Sequence, residues 1–368
     1  MARDKKEERQ PWSTRLPKFA WISSKERITL FKYLGIMTES GVPLERSLLA
    51  MHNQVRSKTM HQVLHIMLSD VSSGQFLSSS MKKMPRLFNN LLTQLVSVGE
   101  ESGTMTESFL HISAYLEKSH DLQSKIRSAM LYPVIVIAGT VAIAVYMLFV
   151  LLPQLQPLFI SLNVKLPWTT QLVLDLSRFL ISYGVYVLAG SIVFVIAFVL
   201  LLRLPRFHYV IDAILLRAPI LGQVIIKTEI TQLSAVISTL LKSGIPIVEG
   251  FSIASVAINN RVYQHELSMI GETVQEGRNV SEQMLKNPRL FPPFVSQMIS
   301  VGEETGRLDE CFQYLSTVME REVDDATKNL TTILEPLLMV LIGVLVGFIA
   351  ISIITPIYQL TQGINTVR

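Results

Sequence analysis

The feature that most constrains the fold of this chain is an internal repeat. Three short strings recur at a constant offset of 203 positions, with no insertion or deletion between them. They are SGVP at 40–43 with SGIP at 243–246, PRLF at 85–88 and again at 288–291, and SVGEESG at 97–103 with SVGEETG at 300–306. Chance does not keep one register over about 125 residues, so the sequence predicts a duplicated domain.

Composition and hydropathy predict a membrane protein. Only 17% of the 368 residues are charged and mean hydropathy is +0.39, whereas soluble domains average about 25% charged residues. Three windows without a charged side chain, 133–152, 180–202 and 336–354, are long enough to cross a hydrocarbon core of about 30 Å. Pro133 and Pro336 open the first and third windows, where proline at a helix start would form a stiff membrane junction.

Charge distribution predicts the orientation of these spans. The first thirty residues contain no apolar run typical of a secretory signal, and residues 1–20 carry six basic against three acidic side chains. Basic residues also precede the first span and follow the second, whereas the connection between them is nearly uncharged. The positive-inside rule therefore places the N-terminus in the cytoplasm and, after three crossings, the C-terminus on the outer side of the membrane.

The repeat and the spans together predict a segment order, in which the second span returns the chain so that both copies enter the membrane from the same side. The segments are a basic flexible arm near anionic lipid (1–27), cytoplasmic domain 1 (28–131), the first span (132–152), an external loop (153–179), the second span (180–202), a cytoplasmic linker (203–230), cytoplasmic domain 2 (231–335), the third span (336–355) and an external tail (356–368).

Periodicity within each copy is helical. Met105, Phe109, Ile112 and Leu116 follow the spacing i, i+4, i+7 and i+11, and the second copy keeps the same stripe. No sustained period-two pattern appears. The predicted fold is therefore an all-α integral membrane protein with two duplicated cytoplasmic helical bundles and three transmembrane helices.

Motifs for catalysis, cofactors and nucleic acids are absent from the sequence. There is no glycine-rich phosphate loop or dinucleotide fingerprint, and no basic stripe with interleaved aromatics. His61 and His65 have metal-ligand spacing, but Gln62 stands where a zinc protease has glutamate, so we expect ordinary surface histidines. Cys311 is expected to be a small core side chain. We predict a protein that is not an enzyme and holds no cofactor.

The most specific local pattern is an acidic glycine motif, defined here as residues 99–103 and 302–306. Its two glycines are expected to give the backbone freedom for a tight connection between helices. A solvated turn does not require paired carboxylates twice, so two further interpretations stay open, docking against basic groups of a partner or neighbouring domain and binding of a hard cation. The candidates are Glu100, Glu101, Glu303 and Glu304.

Two other pairs complete the candidate residues. Arg86 and Arg289 each follow a proline at a domain corner, where they would cap a helix end or meet acidic groups of a partner. Gly343 and Gly347 form a Gly-x-x-x-Gly pair in the third span that would let another helix approach closely. The uncharged spans argue against an ion-coupled transporter, although a small transporter or channel subunit remains the alternative.

These strings resemble a known family. The segment 301–310 (VGEETGRLDE), the Ser-Gly-x-Pro turns and the segment 125–153 together are similar to the type II secretion system protein F family, over about residues 28–358. Members of this family are bacterial inner-membrane platform proteins of type II secretion and type IV pilus machines. The resemblance therefore implies that this chain is a multi-pass inner-membrane protein whose external loop and C-terminal tail are periplasmic.

The resemblance implies a non-enzymatic role in assembly. The platform would couple a cytoplasmic hexameric ATPase to insertion of pilins or pseudopilins into a filament, as a homo-oligomer that contacts other inner-membrane assembly proteins and the lipid bilayer. No nucleic-acid partner is implied. The resemblance leaves open which of the two machines this chain serves.

Overall fold

The computed structural model describes residues 21–147, 149, 154, 168–202 and 204–365. The predicted arm at 1–20, most of the predicted periplasmic loop and the last three residues of the tail lie outside the described residues. Over this part of the chain, regular structure is helical, with the exact bounds that follow: α1 Ser24–Glu39, α2 Leu44–Gln54, α3 Lys58–Ser72, α4 Leu77–Lys82, α5 Asn90–Ser102, α6 Met105–Tyr146, α7 Trp168–Leu202, α8 Pro205–Arg217, α9 Leu221–Lys242, α10 Ile247–Ala257, α11 Arg261–Gln275, α12 Val280–Leu285, α13 Pro293–Thr305 and α14 Leu308–Asn365.

The repeat is reproduced helix by helix. The bounds of α2, α3, α4 and α5 each recur 203 positions later in α10, α11, α12 and α13, and α6 and α14 begin at equivalent residues. The same offset relates the main-chain turns, because the three glycines with positive φ in the first copy have positive-φ partners in the second. The predicted all-α fold with two duplicated helical bundles is confirmed.

Both copies belong to one compact unit, the paired-repeat unit, formed by residues up to Ser124 and by Gly222–Val323. In the first copy, the Phe31 ring contacts the rings of Phe88 and Phe109, each at a centroid distance of 6.2 Å. In the second copy, Phe251 meets Phe312 at 6.4 Å. Burial of each phenylalanine contributes about 1.5–3 kcal/mol, so these clusters anchor the two cores.

Equivalent core positions are filled by different side chains in the two copies. Phe88 and Phe109 match Phe291 and Phe312, but Phe31 matches Ser234. The second copy replaces the lost ring by an aromatic at another position, Tyr263, whose ring lies 5.7 Å from Phe291 and whose hydroxyl donates to the Leu290 carbonyl at 2.7 Å. The backbone of the repeat is thus conserved while the packing is redistributed.

The second compact unit, the apolar unit, comprises Lys125–Leu221 and the chain from Asp324 onward. It contains α7, α8 and the later parts of α6 and α14. Lys125 Nζ lies 3.1 Å from Asp324 Oδ2 and joins those two long helices. Large apolar side chains along α7, such as Val185 and Phe194, are exposed, as expected for a lipid-facing surface.

Among the described residues, four helices are long and apolar enough to cross a membrane, Met105–Tyr146, Ser182–Leu201, Leu221–Lys242 and Leu308–Phe348. Three of them overlap the predicted spans. The additional one is α9, in which half of the apolar stretch is buried inside the protein, against 6%, 0% and 11% in the others. Its apolar side chains, including Ile230 and Leu233, pack in the paired-repeat unit. The count of three spans stays a prediction.

The prediction that Pro133 and Pro336 begin helices is wrong. Both lie inside long helices, because α6 starts at Met105 and α14 at Leu308 and each continues past its proline. Proline in a helix interior removes one hydrogen bond to the preceding turn. Each helix tolerates this defect because the other backbone hydrogen bonds on both sides of the proline remain. Part of the predicted linker at 203–230 is also helical, since it contains α8 and the start of α9.

Candidate functional site

The acidic glycine motif lies at the C-terminal end of a helix in each copy. Residues 99–102 belong to α5 and residues 302–305 to α13. Gly103 and Gly306 end these helices in the left-handed conformation, with φ of 75° and 71°. Only glycine adopts this conformation without strain, so the second glycine serves the turn as predicted.

The first glycine has a different role, and the expectation that it supplies turn flexibility is wrong. Gly99 is helical and buried, and a Cβ placed on it would lie 2.4 Å from the Ser108 hydroxyl oxygen and 2.8 Å from Ser108 Cβ. At Gly302 the nearest atoms would be Leu308 Cδ2 at 3.0 Å and Cys311 Cβ and Sγ at 3.1 Å. The missing side chain lets the following helix approach closely.

Cys311 therefore acts as a small packing residue at the position that Ser108 occupies in the first copy. Burial raises the pKa of its thiol, which disfavours the reactive thiolate. The local geometry agrees with the expected structural role.

The first glutamate of each motif caps a neighbouring short helix. The Glu100 carboxylate accepts the backbone N–H of Leu77 and, at 3.1 Å, that of Ser78. Glu303 accepts from Val280 N at 2.5 Å and from Ser281 N at 3.2 Å. The N-cap residues Phe76 and Asn279 make no side-chain cap hydrogen bond. In each copy, a carboxylate distant in sequence thus accepts hydrogen bonds from the free N–H groups at the start of α4 or α12. Its negative charge also interacts favourably with the positive end of the helix dipole.

The second glutamate makes no such contact. Glu101 and Glu304 are exposed, and among the described residues each accepts only a hydroxyl one turn earlier in its own helix, Ser97 at 3.2 Å and Ser300 at 3.3 Å. An acidic side chain in the last turn of a helix is unfavourable with respect to the helix dipole. Folding therefore explains the first glutamate of each motif but not the second, whose carboxylates are displayed to solvent in both copies.

The two arginine candidates lie in the equivalent connections between α4 and α5 and between α12 and α13. Both Arg86 and Arg289 are exposed. Each connection is closed by a backbone hydrogen bond of 3.0 Å, from Leu87 to Met84 and from Leu290 to Asn287. The arginines are thus held on ordered turns at the surface.

The two membrane-helix candidates and the histidines are also located. Gly343 and Gly347 lie in α14, and a Cβ on either would meet nothing within 4 Å, so this stripe is open to another helix.

His61 and His65 lie next to a third histidine that sequence reasoning missed, His52 on α2. The centre of its ring lies 3.8 Å from that of His61 and 5.9 Å from that of His65. The pairing of α2 with α3 after a short connection was the available signal.

The histidine cluster is not arranged as a metal centre. Within the described ranges, no group of three histidine, cysteine or acidic side chains has the geometry to hold a metal ion. Desolvation and the neighbouring His52 and His65 lower the pKa of His61, which favours its neutral form. In the same described ranges, neither acidic glycine motif gathers three such groups.

Comparison with known proteins gives the family. The profile described as "Type II secretion system (T2SS), protein F" matches twice, at residues 30–153 and 233–356, which are again 203 positions apart. Type IV pilus assembly protein PilC of Pseudomonas aeruginosa is 34% identical over 337 residues, covering 90% of this chain and 89% of that protein.

Two further relatives extend the comparison. Type IV pilus assembly protein TapC of Aeromonas hydrophila is 34% identical over 333 residues, covering 89% of this chain and 80% of that protein. Type II secretion system protein F of Pseudomonas aeruginosa is 27% identical over 341 residues, covering 93% and 84%. With its duplicated helical domain and its apolar helices, the chain belongs to the type II secretion system protein F family, the multi-pass inner-membrane platform proteins of type IV pilus and type II secretion machines.

Proposed function

We propose that this protein couples a cytoplasmic assembly ATPase to the insertion of pilin-like subunits into a growing filament. In this proposal the N-terminus and both repeat domains are cytoplasmic, and the C-terminus is periplasmic. The observation that carries it is the continuity of α6 and α14. In each copy, the helix that packs against the acidic glycine motif runs on into an apolar segment without a break.

A continuous helix is suited to mechanical transmission. Phe109 and Ile112 near the start of α6 are fully buried in the paired-repeat unit, whereas Val134 and Ile137 further along are large, apolar and exposed. In α14, Phe312 near the start is likewise buried and Leu337 further along is exposed. Backbone hydrogen bonds link the turns on either side of the interior proline, so in this proposal a displacement of the packed end is passed along the same helix. A force applied to the repeats would thereby reach the lipid-embedded helices.

The exposed glutamates are the proposed docking points for the ATPase. Glu101 and Glu304 offer equivalent carboxylates on two related domains, a pattern that fits basic groups repeated around an oligomeric partner. Arg86 and Arg289 offer a second, oppositely charged pair on the neighbouring turns. Gly343 and Gly347 provide an open stripe in α14 for association with a second copy or with another inner-membrane assembly protein.

The type IV pilus is the machine that the comparisons support better. The pilus-assembly relative from Pseudomonas aeruginosa is more similar in sequence to this chain than the secretion protein F of the same organism. We therefore propose pilins as the substrate.

The proposed coupling between the repeat domains and the apolar helices is tested by interrupting one of the two long helices, α6. Insertion of three glycines after Arg127 in α6 should leave the protein in the membrane and still bound to the ATPase, while filament assembly is lost, because glycine breaks the stiffness of the helix. The matched control inserts the same glycines after Arg56, in the non-helical connection between α2 and α3, and should assemble filaments. Normal filaments with a broken α6, at normal protein levels, would contradict the coupling.

The partners are tested separately. Detergent-solubilised protein, after mild crosslinking in cells, should co-purify with the assembly ATPase and with pilin. Recovery of neither would contradict the proposed function itself.

A further inference from the structure

A polar cavity of about 230 Å³ lies inside the paired-repeat unit, between the first and second copies of the repeat. Its walls come from α1, α6 and the residue before α5 on one side, and from α9 and the end of α10 on the other. The lining residues are Ser24, Arg27, Asn89, Tyr115, Leu116, Ser119, His120, Gln123, Gln232, Ala257 and Asn259.

Among the residues that the structure describes, the Arg27 guanidinium in this cavity has no ion-pair partner. Its Nε is buried without a hydrogen-bond partner, and its Nη2 reaches only the Ser24 hydroxyl at 3.4 Å. Desolvation lowers the pKa of Arg27, and the nearby Tyr115 phenol offsets this only partly. Arginine stays charged in proteins. Because a half-buried cation without an anionic partner is costly, the site is poised to accept an anion.

The other polar walls supply neutral donors. The Asn89 carbonyl oxygen already accepts the Leu92 N–H at 3.1 Å, which leaves its NH₂ group to donate. Gln232 and Asn259 present amides from the second copy, and Ser119 and His120 lie on the first. In the part of the chain that the structure describes, no aspartate or glutamate lines this cavity. One cation with surrounding neutral donors is the composition of an anion site.

The repeat shows that folding does not require these polar residues. Positions 27, 115 and 120 in the first copy are Arg, Tyr and His, whereas the equivalent residues of the second are Ile230, Val318 and Val323. Ile230 and Val323 are both completely buried. The same backbone thus accommodates an apolar set, and the cationic set is confined to the first copy.

We infer that this cavity binds a phosphate group, carried either by inorganic phosphate or by a small phosphomonoester. Several donors from different walls suit an anion with tetrahedrally arranged oxygens, and the guanidinium matches two of them at once. A water molecule occupies about 30 Å³ of liquid volume, so the cavity holds a phosphate with a few waters or a compact ester. Because both copies contribute donors, the bound anion would stabilise their mutual packing within this unit.

The test measures thermal midpoints and binding heats of the full-length protein in detergent. Inorganic phosphate and glycerol phosphate should each be tried against sodium chloride at equal ionic strength. A rise in midpoint with either phosphate compound, and none with chloride, is expected. Tighter binding of inorganic phosphate would identify the free ion as the ligand, and tighter binding of the ester an organic phosphate; both support the proposal.

Variants separate a specific site from general charge effects. Arg27→Gln should weaken phosphate binding at least tenfold, whereas Arg278→Gln, at an exposed arginine paired with Glu276, should bind as the wild type does. Gln232→Ala, which keeps the charge of Arg27, should weaken binding severalfold and serves if Arg27→Gln does not fold. The inference is overturned if neither phosphate compound exceeds chloride, or if the folded cavity variants bind with unchanged affinity.

Discussion

In the first copy of the repeat, Glu100 accepts two backbone N–H groups at the start of α4. In the second copy, Glu303 accepts the equivalent two groups at α12 and also the Ser281 hydroxyl, at 2.5 Å. The capping hydrogen bonds that fix the backbone are therefore present in both copies, and the second copy has one more of them. The polar surfaces differ more, since Arg27, His61 and His65 of the first copy match Ile230, Gln264 and Ser268.

This contrast separates three kinds of residue within one chain. A residue that is repeated and satisfied internally, such as Glu100, is explained by folding. A residue that is repeated but satisfied by nothing beyond its own helix, such as Glu101, needs another explanation. A polar residue present in one copy alone, such as Arg27, marks a property that only one copy has acquired.

Removal of the capping carboxylates should have the largest effect on stability. Glu303→Ala should cost about 3 kcal/mol and Glu100→Ala about 2 kcal/mol, because hydrogen bonds to a charged group contribute about 1.5–3 kcal/mol and Glu303 makes one more. The measurement is denaturant or thermal unfolding of the full-length protein in detergent, where 1 kcal/mol corresponds to about 2–4 °C for a domain of 150–250 residues. Glu101→Ala and Glu304→Ala, as controls, should change stability by less than about 0.5 kcal/mol. Equal losses at all four positions would refute the division of roles.

The close helix contacts should give the next largest difference between the copies. Gly99→Ala should destabilise by about 2 kcal/mol, because overpacking costs about 1–3 kcal/mol and the nearest atoms lie on the short, rigid Ser108 side chain. Gly302→Ala should cost less than about 1 kcal/mol, since the contacts are longer and alanine favours the helix. Adding Ser108→Gly should recover part of the loss in the Gly99 variant. A larger loss at Gly302 than at Gly99 would show that the contacts are ranked wrongly.

The histidine cluster should give the smallest difference, visible as a pH dependence. The pKa of His61 is lowered in the folded state by desolvation and by His52 and His65, so the unfolded chain binds a proton more readily. Stability should therefore fall as the pH drops below about 6.5, the ordinary histidine value, toward the lowered pKa. His61→Gln, which copies the residue of the second repeat, should reduce the loss of thermal midpoint between pH 7.5 and 5.5. An identical loss in both proteins would exclude this contribution.

Much of the fold could be predicted from the sequence because the repeat gives two independent sequences for each helix of the duplicated domain. The gapless offset of 203 fixes the pairing of α2–α5 with α10–α13, and the stripe containing Phe109 and Ile112 predicts a buried face that the structure confirms. The helix starts at the membrane were misjudged at Pro133 and Pro336. Proline is common at a first helical turn, but a local preference cannot reveal that the preceding residues are already helical.

The candidate site was predictable only in part. The repeat identified the motif that contains Glu100 and Glu101. However, the sequence does not indicate which of two adjacent glutamates contacts α4. That choice depends on a partner helix more than twenty positions away, whose own N-cap residue, Phe76, cannot cap it. The cavity around Arg27 also escaped, because its walls come from elements distant in sequence. The third histidine, His52, could have been found from the short connection that pairs α2 with α3.

The central claim is that each acidic glycine motif contains one glutamate that holds the fold and one that docks a basic partner. The most direct measurement is co-purification of the assembly ATPase with the double variant Glu101→Lys, Glu304→Lys. Its matched control is Glu39→Lys, Glu272→Lys, which reverses one exposed acidic residue in each copy away from the motifs. Both variants should have a normal thermal midpoint, and the motif variant alone should lose at least tenfold of the co-purified ATPase. Full ATPase recovery with the motif variant would contradict the claim.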